Sequence, residues 1–299
     1  MNLKLTGYRT LPAAMRHAVE RAYFGKRIQA EKHPQSSWLS SYLHCLLAIG
    51  GHCVYINDTE ALSEWPGLHT DGRTLRAFTR LGVSSDLQVL QQVWEHREYA
   101  AVTNYMRKHA DCNGALRIID AGANVGYTAL YLGNTFPNAQ IISIEPESSN
   151  FRQLSRNVTA SGLANVEPLQ AGLWQRRAHL EVGRDFRDHR EWSFYVRESH
   201  HATDLMGYGV RQLAAERDWT CIDLLKIDIE GAERYLVETD ELAAELLENT
   251  RFIAIEIHDE FNIRPRIYEC LRRHGFEFFE NGELTIGRNT NLTGGSGTL

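Results

Sequence analysis

An apolar run, Phe252-Ile253-Ala254-Ile255-Glu256-Ile257-His258, closes on a glutamate and a histidine two positions apart. Alternate residues of an extended strand share a face, so Glu256 and His258 are expected on one side, at the strand's carboxyl end. Imidazole, with an ordinary pKa of about 6.5, takes up protons near neutrality, which makes His258 the candidate general base, oriented by a neighbouring carboxylate. A second run, Ile222-Asp223-Leu224-Leu225-Lys226-Ile227, leads into Asp228-Ile229-Glu230-Gly231-Ala232-Glu233 and supplies two more carboxylates, Asp228 and Glu230. The plainer reading of each is structural: a solvent-facing strand end for His258, and for Glu230 and Glu233 an acidic helix start favoured by the helix dipole. Oxygen donors beside one imidazole also permit a divalent ion, but the spacing does not call for one and no metal ligand is assigned.

A third constellation, Asp120-Ala121-Gly122-Ala123-Asn124-Val125-Gly126-Tyr127, follows the apolar run Leu116-Arg117-Ile118-Ile119. In an open parallel sheet the ligand crevice lies beyond the carboxyl ends of the strands. Gly122 and Gly126 let the chain turn sharply and approach a ligand closely, while Asp120 either accepts a hydrogen bond from a ligand ammonium or orders the loop. A dinucleotide-binding loop, G-x-G-x-x-G, needs glycine where Asn124 and Tyr127 stand. S-adenosylmethionine, which carries an α-amino group, a carboxylate and a ribose diol but no pyrophosphate, suits Asp120 and the loop amides better. Glu145 ends the next strand-like run, 25 positions after Asp120, where a carboxylate can take both ribose hydroxyls. Glu145-Pro146-Glu147 is also able to cap the following helix.

These groups need a scaffold that brings strand ends together. Strand-like runs at Leu116–Ile119, Gln140–Ile144, Val166–Leu169, Ile222–Ile227 and Phe252–Ile257 are separated, for the most part, by helical patterns. The helices are expected over Gly126–Asn134, Ser148–Ser161, Gly231–Leu247 and Arg264–His274. Such alternation requires right-handed crossovers and a mainly parallel sheet covered on both faces, an α/β fold. Phe276–Phe279 and Leu284–Ile286, split by Asn281-Gly282, are expected to add an antiparallel edge hairpin, and Ala178–Val182 with Ser193–Val196 a further one. Upstream, helices are expected from Thr10 to Tyr23 and from Trp38 to Ile49, then a short strand Cys53–Ile56 and a loop over residues 57–86. A long helix is expected from Asp86 to His109. The division is thus an N-terminal, mostly helical cap, 1–85, and a main domain, 86–299.

Three motifs occur in order: Ile119 to Tyr127; Glu145-Pro146 with Asn150-Phe151, Leu154 and Asn157; and Asp223 to Glu233. Together they resemble the FkbM-type methyltransferase family. Gln92-Val93-Trp94 to Glu98-Tyr99 resembles its entry segment, so the likeness runs from about Asp86 to Ile286. The resemblance implies a class I, seven-stranded Rossmann-like methyltransferase fold that uses S-adenosylmethionine and releases S-adenosylhomocysteine. It further implies O-methylation of a hydroxyl on a carbohydrate, glycolipid or natural-product metabolite. It places the strand ending at Ile227 beside the cofactor strand, with Asp228 and Glu230 at the crevice mouth near Glu256 and His258. It assigns Asp120, Gly122, Asn124, Gly126, Tyr127, Glu145, Pro146, Asn150 and Asp228 to the cofactor. An N-methyltransferase, or a scaffold protein that binds the cofactor without turnover, would share the same loop. The loop after Gly183, with Trp192 and Tyr195, and the basic cap are candidates for the acceptor side, whereas His189, His200 and His201 read as surface.

A chain of 299 residues that is 43% hydrophobic can bury a large core, and its net charge of −6 argues against a general nucleic-acid binder. Residues 1–33 carry seven basic side chains against two acidic ones. That lead either faces water as a solvated helix or touches an anionic membrane surface or acidic partner, and the cap also offers a place for oligomer contacts. The five cysteines contain no C-x-x-C pair, which indicates neither a disulfide framework nor a zinc site. No apolar leader opens the sequence, and Tyr42–Ile49 is far shorter than the roughly 20 residues a membrane helix needs, so a cytoplasmic location is expected.

Overall fold

The computed structural model describes residues 35–57, 59–67, 74–81, 84–112, 114–183 and 195–292. The basic lead, the helix expected from Thr10, His189 and Trp192 lie outside them. The chain divides into two compact units, one through His96 and the other from Arg97.

In the first unit, helix α1 (Gln35–Ala48) stops at Gly50, whose φ of 74° is left-handed. Strands β1 (His52–Ile56), β2 (Glu60–Pro66) and β3 (Thr74–Arg80) follow and form one antiparallel sheet. The loop expected over 57–86 is therefore incorrect, and the cap is not mostly helical among its described residues. The strands do alternate, but the residues turned inward are largely small or polar. Ala61, Ser63 and Trp65 face Thr79, Ala77 and Leu75 in register, and all six are buried. A pattern search that counts large apolar side chains passes over such pairs.

The helix expected from Asp86 to His109 is also broken. It consists of α2 (Asp86–Leu90), a π-helical turn at Gln91–Glu95, and then α3 (Ala100–His109) in the second unit. Arg97, with φ of 56°, interrupts the helix between them, although no glycine or proline marks the break.

The second unit runs β4 (Arg117–Ala121), α4 (Tyr127–Thr135), β5 (Gln140–Ile144), α5 (Ser148–Ala160), β6 (Val166–Leu169) and β7 (Ala171–Leu173). It continues β8 (Ala178–Gly183), β9 (Tyr195–Glu198), β10 (Met206–Tyr208), α6 (Val210–Ala215), β11 (Ile222–Ile227), α7 (Glu233–Leu236) and α8 (Asp240–Leu247). It closes with β12 (Thr250–Glu256), α9 (Arg264–Arg273), β13 (Phe276–Asn281) and β14 (Leu284–Asn289). Seven strands form one sheet in the order β13-β14-β12-β11-β4-β5-β6. β12, β11, β4, β5 and β6 are mutually parallel, and β14 is antiparallel to both of its neighbours, so it alone runs backward. The hairpin turns at Gly282, as its Asn-Gly pair suggested, yet its second strand lies inside the sheet and its first forms the edge. The expected β8–β9 hairpin joins β7 and β10, which sequence reading missed, in a four-stranded sheet. The single helix expected over Gly231–Leu247 is two, because Thr239 caps α8 by accepting from the Leu242 amide. Among the described residues no helix is long and apolar enough to cross a membrane.

The central strand, β11, is buried at all six positions, so the core runs on both sides of it. Two of those six are ionisable. Asp223 is held by the Arg117 amide at 2.8 Å and the Arg251 guanidinium at 3.0 Å. Lys226 belongs to the site.

Candidate active site

Register lines up the candidate residues. Ala121 pairs with Ile144 on one side and Ile227 on the other, and Ile227 pairs with Ile255. One step further on, Glu145, Gly122, Asp228 and Glu256 therefore stand side by side at the carboxyl edge of four adjacent parallel strands. This is the crevice edge of an open parallel sheet.

The loop from β4 into α4 is folded against its neighbours. Gly122, Asn124 and Gly126 all have positive φ, at 77°, 49° and 92°. A Cβ on Gly122 would stand 1.7 Å from the Asp228 carbonyl oxygen, so this glycine is required by the adjoining β11 end rather than by a ligand. The amides of Gly122 and Ala123 donate to the Ile144 carbonyl, that of Asn124 to Glu145 Oε2, that of Val125 to Asn124 Oδ1, and that of Gly126 to the Ala123 carbonyl. The Asn157 side chain, from α5, donates to the Val125 carbonyl. All five loop amides thus bond inside the protein, which prefolds the loop. Tyr127 is wholly buried beneath it.

Glu145 accepts the Asn124 amide on one oxygen and the Glu147 amide on the other, each at 2.8 Å. Burial pushes its carboxyl up to about 7, against the pull of those two amides. Each oxygen has two lone pairs, so one on each is left for a vicinal diol. The helix-capping role falls to Glu147, which accepts from the Ser149 and Asn150 amides. Asn150 is buried beside it, and Pro146, Asn124 and Gly122 are half-buried.

Asp120 takes the loop-ordering role. It is fully buried, Lys226 Nζ lies 3.3 Å from its Oδ1, and Ser143 donates to Oδ2 at 3.2 Å. Lys226, 1% exposed, also donates to the carbonyls of Gly122 at 2.8 Å and Ala121 at 3.3 Å, and lies 3.7 Å from Asp228. Burial opposes its charge, but Tyr99, Asp120 and Asp228 outweigh that and raise its pKa. Burial pushes the Asp120 carboxyl up, and Lys226 pulls it back. Sequence reading gave Lys226 no role; its signal was a lone lysine between Leu225 and Ile227, tolerable there only with a buried partner.

The four residues assigned to catalysis do converge. His258 Nε2 lies 3.4 Å from Glu230 Oε2 and 3.8 Å from Glu256 Oε1, and Asp228 stands within the same group. Glu230 reaches this position from a left-handed turn, φ 54°, continued by Gly231 at 88°. His258 is 2% exposed, so it is not the open strand end of the bland reading. Its ring is oriented by a residue that sequence reading placed only at a helix start. Glu233, itself buried, accepts from His258 Nδ1 at 2.7 Å, from the His258 amide at 2.9 Å and, through its other oxygen, from the Gly231 amide at 2.9 Å. Burial disfavours the imidazolium, but Glu230 and Glu233 beside the ring push its pKa up to about 11. Held between Glu233 and the crevice carboxylates, the ring is placed to position them. Asp228 and Glu256, at 28% and 24% side-chain exposure, are the half-open members of the group. Burial, then Asp228, pushes Glu256 up to about 9, against His258. Glu98, just ahead of α3, which sequence reading did not single out, is pushed up to about 7 by burial and Asp228, with Lys226 opposing.

A seven-stranded sheet of this order, with one reversed strand beside the edge, a turned glycine loop after β4 and a buried glutamate after β5, is the arrangement of the class I, Rossmann-like methyltransferase fold. Residues 120–278, more than half of the chain, match the Methyltransferase FkbM domain, and the chain belongs to that family. It is 28% identical over 193 residues to Methyltransferase sdnD of Sordaria araneosa, covering 54% of this chain and 73% of that one. It is 32% identical over 65 residues to Methyltransferase 1 of Beauveria bassiana, spanning 26% of that protein's length. Among solved structures it is similar to the N-terminal domain of human METTL16 in complex with SAH, at 12% identity, a TM-score of 0.42 and 96% coverage of both chains.

Proposed function

We propose that this chain transfers the methyl group of S-adenosylmethionine to a hydroxyl oxygen of a small-molecule or carbohydrate acceptor, in the cytoplasm. The observation that carries the reading is the row of strand ends, which sets two half-open carboxylates, Asp228 and Glu256, in line with Gly122 of the glycine loop. An alcohol is a poor nucleophile while protonated, so such a site must supply a proton acceptor as well as alignment, which an amine acceptor needs less.

The residues present fit the cofactor through Glu145, whose remaining lone pairs suit the ribose diol, and through the half-buried Gly122 and Asn124 of a loop already folded without it. When bound, the cofactor supplies an activated sulfonium methyl group. Glu256 holds the acceptor hydroxyl and Asp228 takes its proton. His258 and Glu230 hold those carboxylates in place, and Glu233 fixes the ring. Five free cysteines support a reducing compartment.

Incubation with S-adenosylmethionine carrying a deuterated methyl, against matched panels of alcohols and amines, tests this reading. Methyl ethers are expected, with Asp228→Asn and Glu256→Gln each lowering kcat by about 100-fold, the usual range for a proton-transfer group. Products methylated only on nitrogen would overturn it.

A further inference from the structure

The imidazole of His258 poses a problem that its neighbours do not solve. Glu233 accepts three hydrogen bonds, two of them from backbone amides, one on each carboxylate oxygen. It is therefore acting as an acceptor throughout, which puts a proton on His258 Nδ1 and directs the ring's other nitrogen, Nε2, toward the crevice. Nε2 is buried and makes no hydrogen bond. Near it stand the carboxylate oxygens Glu230 Oε2 at 3.4 Å and Glu256 Oε1 at 3.8 Å, with Asp228 in the same group. Between those carboxylates Nε2 carries either a proton or a metal ion, and a divalent cation that displaces the proton meets a nitrogen and the carboxylate oxygens together.

We propose that Asp228, Glu230 and His258 Nε2 bind one divalent metal ion of the manganese type. One atom from each of the three lies within 4.8 Å of the others. Cis and trans donors about 2.1–2.2 Å from a common centre are roughly 3 to 4.4 Å apart, so the three need to close in only slightly. Two carboxylates and one imidazole favour a hard or borderline ion that accepts nitrogen, Mn2+ ahead of Mg2+ or Ca2+. A thiol-preferring ion is disfavoured because no cysteine belongs to this group. The contact from Glu233 to Nδ1 is the carboxylate–histidine–metal arrangement, in which an outer acceptor fixes the tautomer and strengthens the ligand. Glu256 Oε1, 3.8 Å from Nε2, lies next to the three proposed ligands. The position has a use that rests on the hydroxyl-acceptor reading: an ion there lies among the groups assigned to that hydroxyl and would lower its pKa.

The test is binding, read without turnover. Full-length protein stripped with a chelator is titrated with MnCl2, and bound ion is read from loss of the free Mn2+ electron paramagnetic resonance signal. One Mn2+ per chain is expected. His258→Gln and Glu230→Gln are expected to weaken binding by at least 10-fold, and Glu233→Gln by 10- to 100-fold although Glu233 touches no metal. Circular dichroism and S-adenosylmethionine calorimetry on each variant identify any that fail to fold, and the conservative Glu230→Gln stands in for His258→Gln if the latter does. Absence of Mn2+ binding by the wild type, with S-adenosylmethionine binding intact, overturns the metal site and leaves the methyltransferase reading standing. Mn2+ affinity unchanged in both Glu230→Gln and Glu233→Gln overturns it equally. Mn2+ binding with products methylated only on nitrogen would sink the hydroxyl reading and leave the site.

Discussion

Replacing Lys226 with methionine tests how the strand ends are held together. The side chain keeps its length and apolar stem, but Asp120 loses its cation at 3.3 Å and keeps only the Ser143 hydroxyl at 3.2 Å. The carbonyls of Ala121 and Gly122 lose a donor as well. Removing one partner of a buried pair costs about 3–5 kcal/mol, because the remaining charge is stranded out of water. The two orphaned carbonyls put Lys226→Met at the upper end of that range. Asp120→Asn should cost less, about 1–3 kcal/mol, since Lys226 keeps both carbonyls and Asp228. The double variant, which strands no charge, should be more stable than Lys226→Met by about 2 kcal/mol. Urea unfolding followed by far-ultraviolet circular dichroism measures all three. If Lys226→Met lies within 1 kcal/mol of wild type, or if the two costs simply add, the lysine is not what neutralises Asp120.

Glu145 should couple pH to both stability and cofactor affinity. Its folded pKa of about 7 lies above the ordinary 4.5, so the stability it contributes is complete below pH 4.5 and is lost as pH rises through 7. That loss is about 3 kcal/mol in all, and Glu145→Gln should remove the dependence. Ribose hydroxyls donate to the ionised form, so calorimetry should show S-adenosylmethionine binding more tightly at pH 8 than at pH 6; equal affinities would exclude Glu145 as the diol acceptor. Gly122→Ala sets a Cβ against the Asp228 carbonyl at a positive φ and should cost at least about 3 kcal/mol in thermal unfolding. Gly282→Ala, also at positive φ but in open space, should cost only about 1 kcal/mol, and equal losses would show that the close approach is immaterial. Asn157→Ala leaves the buried Val125 carbonyl without its donor; a loss of about 1–3 kcal/mol and faster amide exchange across residues 122–126 are expected, and unchanged exchange would mean the loop does not depend on α5.

Local chemistry alone located the strands of the seven-stranded sheet, the helices between them, the glycine loop and the acidic and imidazole residues at strand ends, because period, turn residues and caps are written in neighbouring positions. Alternation even in β2 and β3 was present, but Ala61, Ser63, Ala77 and Thr79 carry too little apolar surface to announce a buried face. What a carboxylate or lysine does once there depended on which strands become neighbours, and that is a matter of tertiary order. Only β11 lying beside β4 gives Lys226 its partner Asp120 and brings the Asp228 carbonyl against Gly122. Only the turn through Glu230 and Gly231 carries Glu233 back under His258, 25 residues further along the chain. Residue types set the kinds of chemistry open to this protein, and burial together with strand adjacency chose which groups are spent on holding the crevice and which are left to face it.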